Sequence, residues 1–280
     1  MNKLSGNKPV ITVVTVVYNG AETIENTILS CIHQTYQEIE YIIVDGKSKD
    51  NTVEIISKYS SKIACFISEP DNGIYDAMNK AIEAATGDWI IFMNSGDLFH
   101  DYNVLLKIAD LILNDKSKLE IIYGKTLYKI NEVLIKSIPI PLEKIKREMI
   151  FCHQSTFVKM DLIKSNLFNT KYKFAADYEM MYTFYCQNKK FKYVDFFISI
   201  FDQDSGITLK NFKQSTRERY SIHKDYGSIQ NTFLMYKTIY RIQTGILLKK
   251  LIPLKFRNYL FIIKNKVKIV ENESNCHNGK

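Results

Sequence analysis

The chain has 280 residues, 46% of them hydrophobic, with a formal net charge of +8 and a pI near 9.0. That composition excludes a chain disordered for want of apolar residues, and its basic balance favours phosphate-bearing ligands, nucleic acid or an acidic membrane surface. Five cysteines, at positions 31, 65, 152, 186 and 276, form no CxxC pair, so neither a disulfide framework nor a zinc site is expected and a reducing cytoplasm fits.

Near the N-terminus, "VITVVTVV" (10–17) follows two lysines as a signal peptide would. It is β-branched, however, and ends in Tyr-Asn-Gly instead of a small-residue cleavage site, so it reads as a strand. A helix follows, with Ile24, Ile28, Cys31 and Ile32 at helical spacing, and then a strand, "IEYIIV" (39–44). Asp50 or Asn51 can cap a second helix whose inner face is Thr52, Ile55, Ile56 and Tyr59. After a strand at "IACFIS" (63–68), the third helix carries the stripe Ile74, Ala77, Met78, Ala81, Ile82 and Ala85, with Gly87 as its stop. "WIIFM" (89–93) is the next strand.

Apolar strands alternating with helices predict a parallel sheet with right-handed crossovers, covered on both faces. Ligands of such sheets lie at the carboxyl ends of the strands. Those ends carry Tyr18-Asn19, Asp45-Gly46, Glu69 to Gly73, and Asn94 to Asp97. From 100 to 208 the pattern is mixed: a helix near 103–113, strands near 120–136, then "CHQSTFV" and "FAADYEMMYTFYC". Residues 226–270 hold nine Lys or Arg and no acid, which predicts basic amphipathic helices broken at Pro253, followed by a polar tail. Lys or Arg interrupts every late apolar run, so no membrane span is expected. The chain therefore divides into an α/β domain, 1–208, and a basic helical extension, 209–280.

The strand-end motifs resemble the family 2 glycosyltransferases, whose fold is GT-A, a Rossmann-like, mostly parallel sheet flanked by helices. The resemblance rests on "VITVVTVVYNGAETIENTILSCIHQTY", on "YIIVDGKSKDNT", and on "EPDNGIYDAMNKAIEAATGDWIIFMNSGD". The last is similar to a branch used in bacterial capsule, O-antigen and colanic acid assembly. Beyond residue 100 it thins to "HQSTF", "ADYE" and "SGIT".

The resemblance implies an inverting hexosyl- or N-acetylhexosaminyltransferase that moves a sugar from a nucleotide diphosphate to an acceptor hydroxyl. The acceptor implied is a polyprenyl-diphosphate-linked saccharide at the inner face of the cytoplasmic membrane. Tyr18 matches a position that packs on the base, with Thr15 nearby, and Asp45 matches one that holds base or ribose. Asn19, Asp76, Asn79 and Lys80 are expected on the same nucleotide-sugar edge, the last three being equally readable as the solvated face of their helix. Asp97 matches the metal-binding aspartate, for Mn²⁺ or Mg²⁺, and Asp177 the catalytic base. His153, Gln154 and Glu179 are acceptor-side candidates.

The chemistry needs these types. A cation spreads the charge that develops on a diphosphate leaving group, and one carboxylate can hold it when phosphates and water complete the shell. A sugar hydroxyl becomes a good nucleophile only as a base takes its proton. Asn94 and Gly96 stand where the wider family is often acidic, and Ala176 where it usually has Glu.

Plainer assignments compete with these. Asp97 and Asp45 can be turn residues. Asp177 can be a helix cap, and His153 and Gln154 can satisfy each other in a cleft wall. Among other functions, a nucleotidyltransferase would show a Gly-rich basic loop after the first strand, and a dinucleotide oxidoreductase would show GxGxxG there. "YNGAETIE" is neither. A non-enzymatic module binding membrane or nucleic acid would explain the basic extension but not the four polar strand ends. No nucleic-acid partner is expected.

Overall fold

The computed structural model describes residues 8–130, 133–203 and 211–225. The first hundred residues follow the expected alternation: β1 (Ile11–Val17), α1 (Ile24–Ile32), β2 (Ile39–Asp45), α2 (Thr52–Ser57), β3 (Cys65–Ser68), α3 (Ile74–Ala84) and β4 (Trp89–Phe92). The short β5 (Leu98–Phe99) leads to α4 (Val104–Asn114), β6 (Ile121–Ile130) and β7 (Val133–Ser137). A single turn at His153–Ser155 precedes β8 (Thr156–Lys159), α5 (Met160–Lys164), α6 (Ala176–Cys186), β9 (Phe191–Asp202) and α7 (Phe212–Asp225).

Among the described residues the strands form one sheet in the order β3-β2-β1-β4-β8-β6-β9-β5, with β7 paired to β6. The pairs joining β3, β2, β1 and β4 are all parallel. From β4 onward the sheet turns mixed: β8 runs antiparallel to β4 and β6, β9 runs parallel to β6, and β5 and β7 are antiparallel to their neighbours. The unbroken parallel run expected of alternating strands and helices thus spans β3 to β4, and beyond it, among the described residues, only β6 and β9 pair in parallel.

Side-chain alternation sorts β1 between two cores. Val14 and Val16 pack with Met78, Ala81 and Ile82 of α3, while Ile11, Val13 and Val17 pack with Ile24 and Ile28 of α1 and Leu105 and Ile108 of α4. With both faces covered, every β1 residue is buried. α3 begins after Gly73, whose φ of 117° favours glycine, and its C-terminal neighbour Ala85 is already extended. The helix thus stops before Gly87. That glycine serves strand entry instead, since a Cβ there would lie 2.9 Å from the Val10 carbonyl.

α7 opens the segment expected to be an extension, yet it is fastened to the domain. Glu218 accepts from Phe174 N–H at 2.8 Å, Asp225 accepts from Tyr172 Oη at 2.7 Å, and buried His223 meets Tyr178 Oη at 2.9 Å. Residues 226–270, where basic membrane-binding helices are expected, and the "SGIT" motif lie outside the described residues. No described helix is long and apolar enough to cross a membrane.

Candidate active site

The polar strand ends meet on one edge of the sheet. Tyr18 stands on its rim, 59% exposed, and Asn19 after it adopts a left-handed backbone, φ 50°, that asparagine tolerates. Asn19 N–H donates to Ser48 Oγ at 2.7 Å, and Asn19 Oδ1 accepts from Lys49 N–H at 2.8 Å. Gly20 N–H donates to Thr52 Oγ1 at 2.9 Å. The loop after β1 is thereby stitched to the loop after β2.

Asp45 is fully buried at the end of β2, where it accepts from Ser48 N–H at 3.1 Å and Ser68 Oγ at 2.7 Å. Beside it a Cβ on Gly46 would collide with the Asp71 carboxylate and stand 3.4 Å from the Tyr18 ring. Glycine is what lets Asp71 and Tyr18 close over this backbone. Asp71 thus joins the edge, where the strand-end cluster Glu69 to Gly73 is expected, although the sequence does not single it out there as a binding residue.

Other residues expected at the donor have prior engagements. Thr15 is a correction: it is fully buried and faces the α1 and α4 layer, because alternation along β1 turns it there. Its hydroxyl donates to the Met93 carbonyl at 2.8 Å and accepts from Tyr41 Oη at 3.0 Å. Asn79 is a second correction. Its Nδ2 donates to the Phe168 carbonyl and its Oδ1 accepts from Phe168 N–H, both at 2.9 Å, a closed clamp on a distant loop. Lys80 reaches back to Glu69 at 2.8 Å and the Pro70 carbonyl at 2.7 Å, and Asp76 accepts from Asn72 N–H at 2.9 Å. These two shape the loop from 69 to 73.

Asp97 is only 3% exposed. Its Oδ2 accepts from Gln154 Nε2 at 2.8 Å and its Oδ1 from Asp202 N–H at 3.1 Å. Burial pushes this carboxyl up to about 7, against the pull of the Gln154 bond and the nearby His153. Next to it Asn94 Oδ1 is buried with no hydrogen-bond partner, while Asn94 Nδ2 lies 3.2 Å from His153 Nε2. Hence a costly buried carboxylate and an orphaned amide oxygen share one loop. Both are hard oxygen donors of the kind Mg²⁺ or Mn²⁺ takes, so these residues fit such an ion. Among the described residues no group of three or more His, Cys, Asp or Glu could hold it unaided. Phosphate oxygens and water would complete the shell.

Asp177 occupies the first turn of α6. The helix is entered through Ala175, which provides no side-chain cap. Asp177 Oδ1 accepts from Tyr178 N–H at 2.9 Å, so part of the capping role does fall to it. The same oxygen accepts from Tyr75 Oη at 2.9 Å, and Oδ2 lies 3.3 Å from His153 Nδ1. Burial opposes ionisation here, but the bonds from His153, Tyr75 and Tyr178 outweigh it and hold the carboxyl below its ordinary value. Its side chain keeps 22% exposure.

On the acceptor side, His153 and Gln154 do not bond each other; each faces a different carboxylate. Gln154 is 2% exposed, which withdraws it from any acceptor contact. Glu179 stands two positions after Asp177, about 200° around the helix. Burial, Asp225 and Glu179 together push the Tyr172 hydroxyl up. Tyr75, absent from the sequence reading, reaches Asp177 across 102 positions of chain, and nothing local to "GIYDAM" announces that bond.

Comparison with known proteins agrees with this fold. An uncharacterized glycosyltransferase of Mycobacterium tuberculosis is 30% identical over 178 residues, 62% of this chain and 68% of that one. The structure of S. aureus TarS in complex with UDP matches with a TM-score of 0.60 at 20% identity, over 74% of this chain and 63% of that one. The match therefore spans less than two thirds of that solved chain. Mannosyltransferase PcManGT from Pyrobaculum calidifontis, in complex with GDP-Man and Mn²⁺, matches with a TM-score of 0.62 at 16% identity, over 80% of this chain and 66% of that one. Such likenesses establish the GT-A fold, a mixed sheet flanked by helices. The family model described as Glycosyl transferase family 2 matches residues 12–198, and the chain belongs to that family.

Proposed function

We propose that this protein is an inverting glycosyltransferase that moves a hexose or N-acetylhexosamine from a nucleotide diphosphate to an acceptor hydroxyl. One observation carries the reading. Two carboxylates 80 residues apart, Asp97 and Asp177, are brought to one sheet edge and tied to a single turn at His153–Ser155. Asp177 takes the acceptor's proton as that oxygen bonds to the anomeric carbon. The bond from that carbon to the diphosphate breaks, and its electron pair leaves with the diphosphate. Being held below its ordinary value, Asp177 is ionised and ready at neutral pH.

Tyr18, Asp45 and Asp71 surround the place for the nucleoside, Tyr18 offering a ring face to the base. Asp97 and Asn94 Oδ1 would hold Mn²⁺ or Mg²⁺, which when bound neutralises charge on the departing diphosphate. The complexes of the structural neighbours with UDP and with GDP-Man and Mn²⁺ support a donor of this class. A panel of UDP- and GDP-sugars tests the reading by release of nucleotide diphosphate and by melting temperature, each with and without Mn²⁺. Metal-dependent release of one donor is expected; no release and no stabilisation with any of them overturns the reading.

The acceptor we propose is a lipid-linked saccharide of bacterial surface polysaccharide synthesis, met at the inner face of the membrane. Nine Lys or Arg without an acid between 226 and 270 support that location, since each cation near an anionic surface contributes on the order of 1 kcal/mol. Sedimentation with anionic and neutral liposomes tests it. Binding should require anionic lipid, weaken with salt and vanish when 226–280 is removed.

A further inference from the structure

The turn after Cys152 sends three consecutive side chains in three directions. Ser155, fully buried, anchors it to the sheet: Ser155 Oγ accepts from Thr126 Oγ1 at 2.7 Å and donates to the Lys125 carbonyl at 3.2 Å. Its one hydrogen is then spent, so Ser199 Oγ, 2.7 Å away, must be the donor to it. β6 and β9 thus hold the turn from beneath. Ser155 N–H and Thr156 Oγ1 both donate to the Cys152 carbonyl, at 3.0 and 2.8 Å, and close it.

From this anchored turn His153 and Gln154 diverge, and each is oriented from behind. Cys152 Sγ donates to Gln154 Oε1 at 2.6 Å, which fixes the end of the amide that carries hydrogen. Nε2 of that amide donates to Asp97 Oδ2 at 2.8 Å. Asn94 Nδ2, an obligate donor, faces His153 Nε2 at 3.2 Å, so Nε2 accepts and Nδ1 bears the ring hydrogen. That hydrogen is directed at Asp177 Oδ2, 3.3 Å from Nδ1.

We propose that His153 and Gln154 are paired positioning residues, Gln154 aiming Asp97 on the donor side and His153 aiming Asp177 on the acceptor side. One rigid turn thereby sets the two carboxylates relative to each other. The assignment rests on the transferase reading above and adds to it a division of labour between neighbours. Neither residue is given contact with substrate. Gln154 lies beneath the surface, and the hydrogen of His153 Nδ1 is already taken by Asp177. The division has separable consequences: damage at Gln154 should be felt in donor binding, damage at His153 in turnover.

The test uses the full chain. Calorimetry measures binding of UDP and GDP in MnCl₂, and turnover is read as nucleotide diphosphate released from the nucleotide-sugar panel. Gln154→Met keeps the length and removes both polar atoms; binding should weaken by about tenfold, while kcat at saturating donor and Mn²⁺ changes by less than about threefold. Should that variant not fold, Gln154→Asn, one methylene shorter, gives the same comparison. His153→Ala, which also releases Asn94, should weaken binding by no more than about fivefold and lose kcat by on the order of 10²-fold, the scale of one misplaced acid–base group. His153→Asn sets an amide N–H near the place of Nδ1 and should recover at least about tenfold of that loss, whereas His153→Gln should not. In ¹⁵N spectra of labelled wild type, His153 should show a protonated Nδ1.

Equal losses of binding and kcat in both series overturn the assignment, as does His153→Asn performing no better than His153→Ala. Both outcomes presuppose an active wild type. A wild type that releases nothing and binds neither nucleotide with Mn²⁺ overturns instead the transferase reading, and the positioning roles fall with it.

Discussion

The two halves of the cleft are built in opposite ways. On the donor half, the loops after β1, β2 and β3 are close in sequence, and their polar residues mostly hold one another: Asn19 to Ser48 and Lys49, Lys80 to Glu69, Asp76 to Asn72. On the acceptor half, Asp177 is served by Tyr75 and His153 from far along the chain. Asp97, although it serves the donor, likewise draws on distant partners, Gln154 and Asp202. Polar residues in a recurring motif can therefore be the scaffold of a site, whereas a group that long-range partners converge on is a better candidate for its chemistry.

The sharpest way to break that contrast is Asp177→Asn. Turnover should fall by on the order of 10³-fold with donor affinity unchanged, as expected for a general base. Calorimetry beside a turnover assay reads both, and near-normal turnover in folded protein would move the base elsewhere.

Asp97→Asn comes next, through pH. A carboxyl whose folded value is raised to about 7 favours the folded state only while protonated. Its cost is absent below the unfolded value near 4, grows as pH rises between 4 and 7, and is complete above 7. A shift of that size corresponds to on the order of 4 kcal/mol, so the melting temperature of wild type without ligand should decline across that window more steeply than that of Asp97→Asn. Mn²⁺ with nucleotide should raise the melting temperature of wild type above pH 7 and leave the variant nearly unmoved. Parallel melting curves for the two proteins would mean that Asp97 is not the buried ionising group described.

On the scaffold side, Asn79→Ala should cost stability without touching the donor. It strands the Phe168 N–H and carbonyl, each about 1–3 kcal/mol when buried and unpaired, so a loss of roughly 2 kcal/mol is expected in urea unfolding. Nucleotide affinity should stay within about twofold. An affinity loss at unchanged stability would make Asn79 a ligand contact after all. The smallest effect is the mirror image. Tyr18→Ala should leave stability within about 0.5 kcal/mol, because the ring is exposed, and weaken nucleotide binding by roughly tenfold through lost stacking.

Why some of this was legible in the sequence follows from range. The strands and helices of the first half are written in local periodicity, and their shared edge follows from parallel connection alone. Asp97 and Asp177 stand out because they belong to motifs, "MNSGD" and "ADYE", whereas their partners do not: Tyr75 looks like one aromatic at a helix start, and Asp202 is tied to Asp97 through its backbone N–H. Thr15 and Asn79 misled because a residue's place in a motif does not say which way it points. For Thr15 the direction is set by strand parity, which was readable. For Asn79 it depends on the Phe168 loop, 89 positions away, which was not.

The bond from Asp202 to Asp97 joins residues 105 apart and lies at the far end of β9. As the chain leaves the ribosome, the parallel half can pair while Asp97 still faces water, since the strand that covers it has not been made. The sealing of Asp97 is thus a late folding event, and loop closure over that span adds to its delay. A nascent chain with a formed donor half would display an exposed, ordinary carboxylate. Only a chain extended through Asp202 acquires the buried one, so a cation site resting on Asp97 would be withheld from every shorter intermediate.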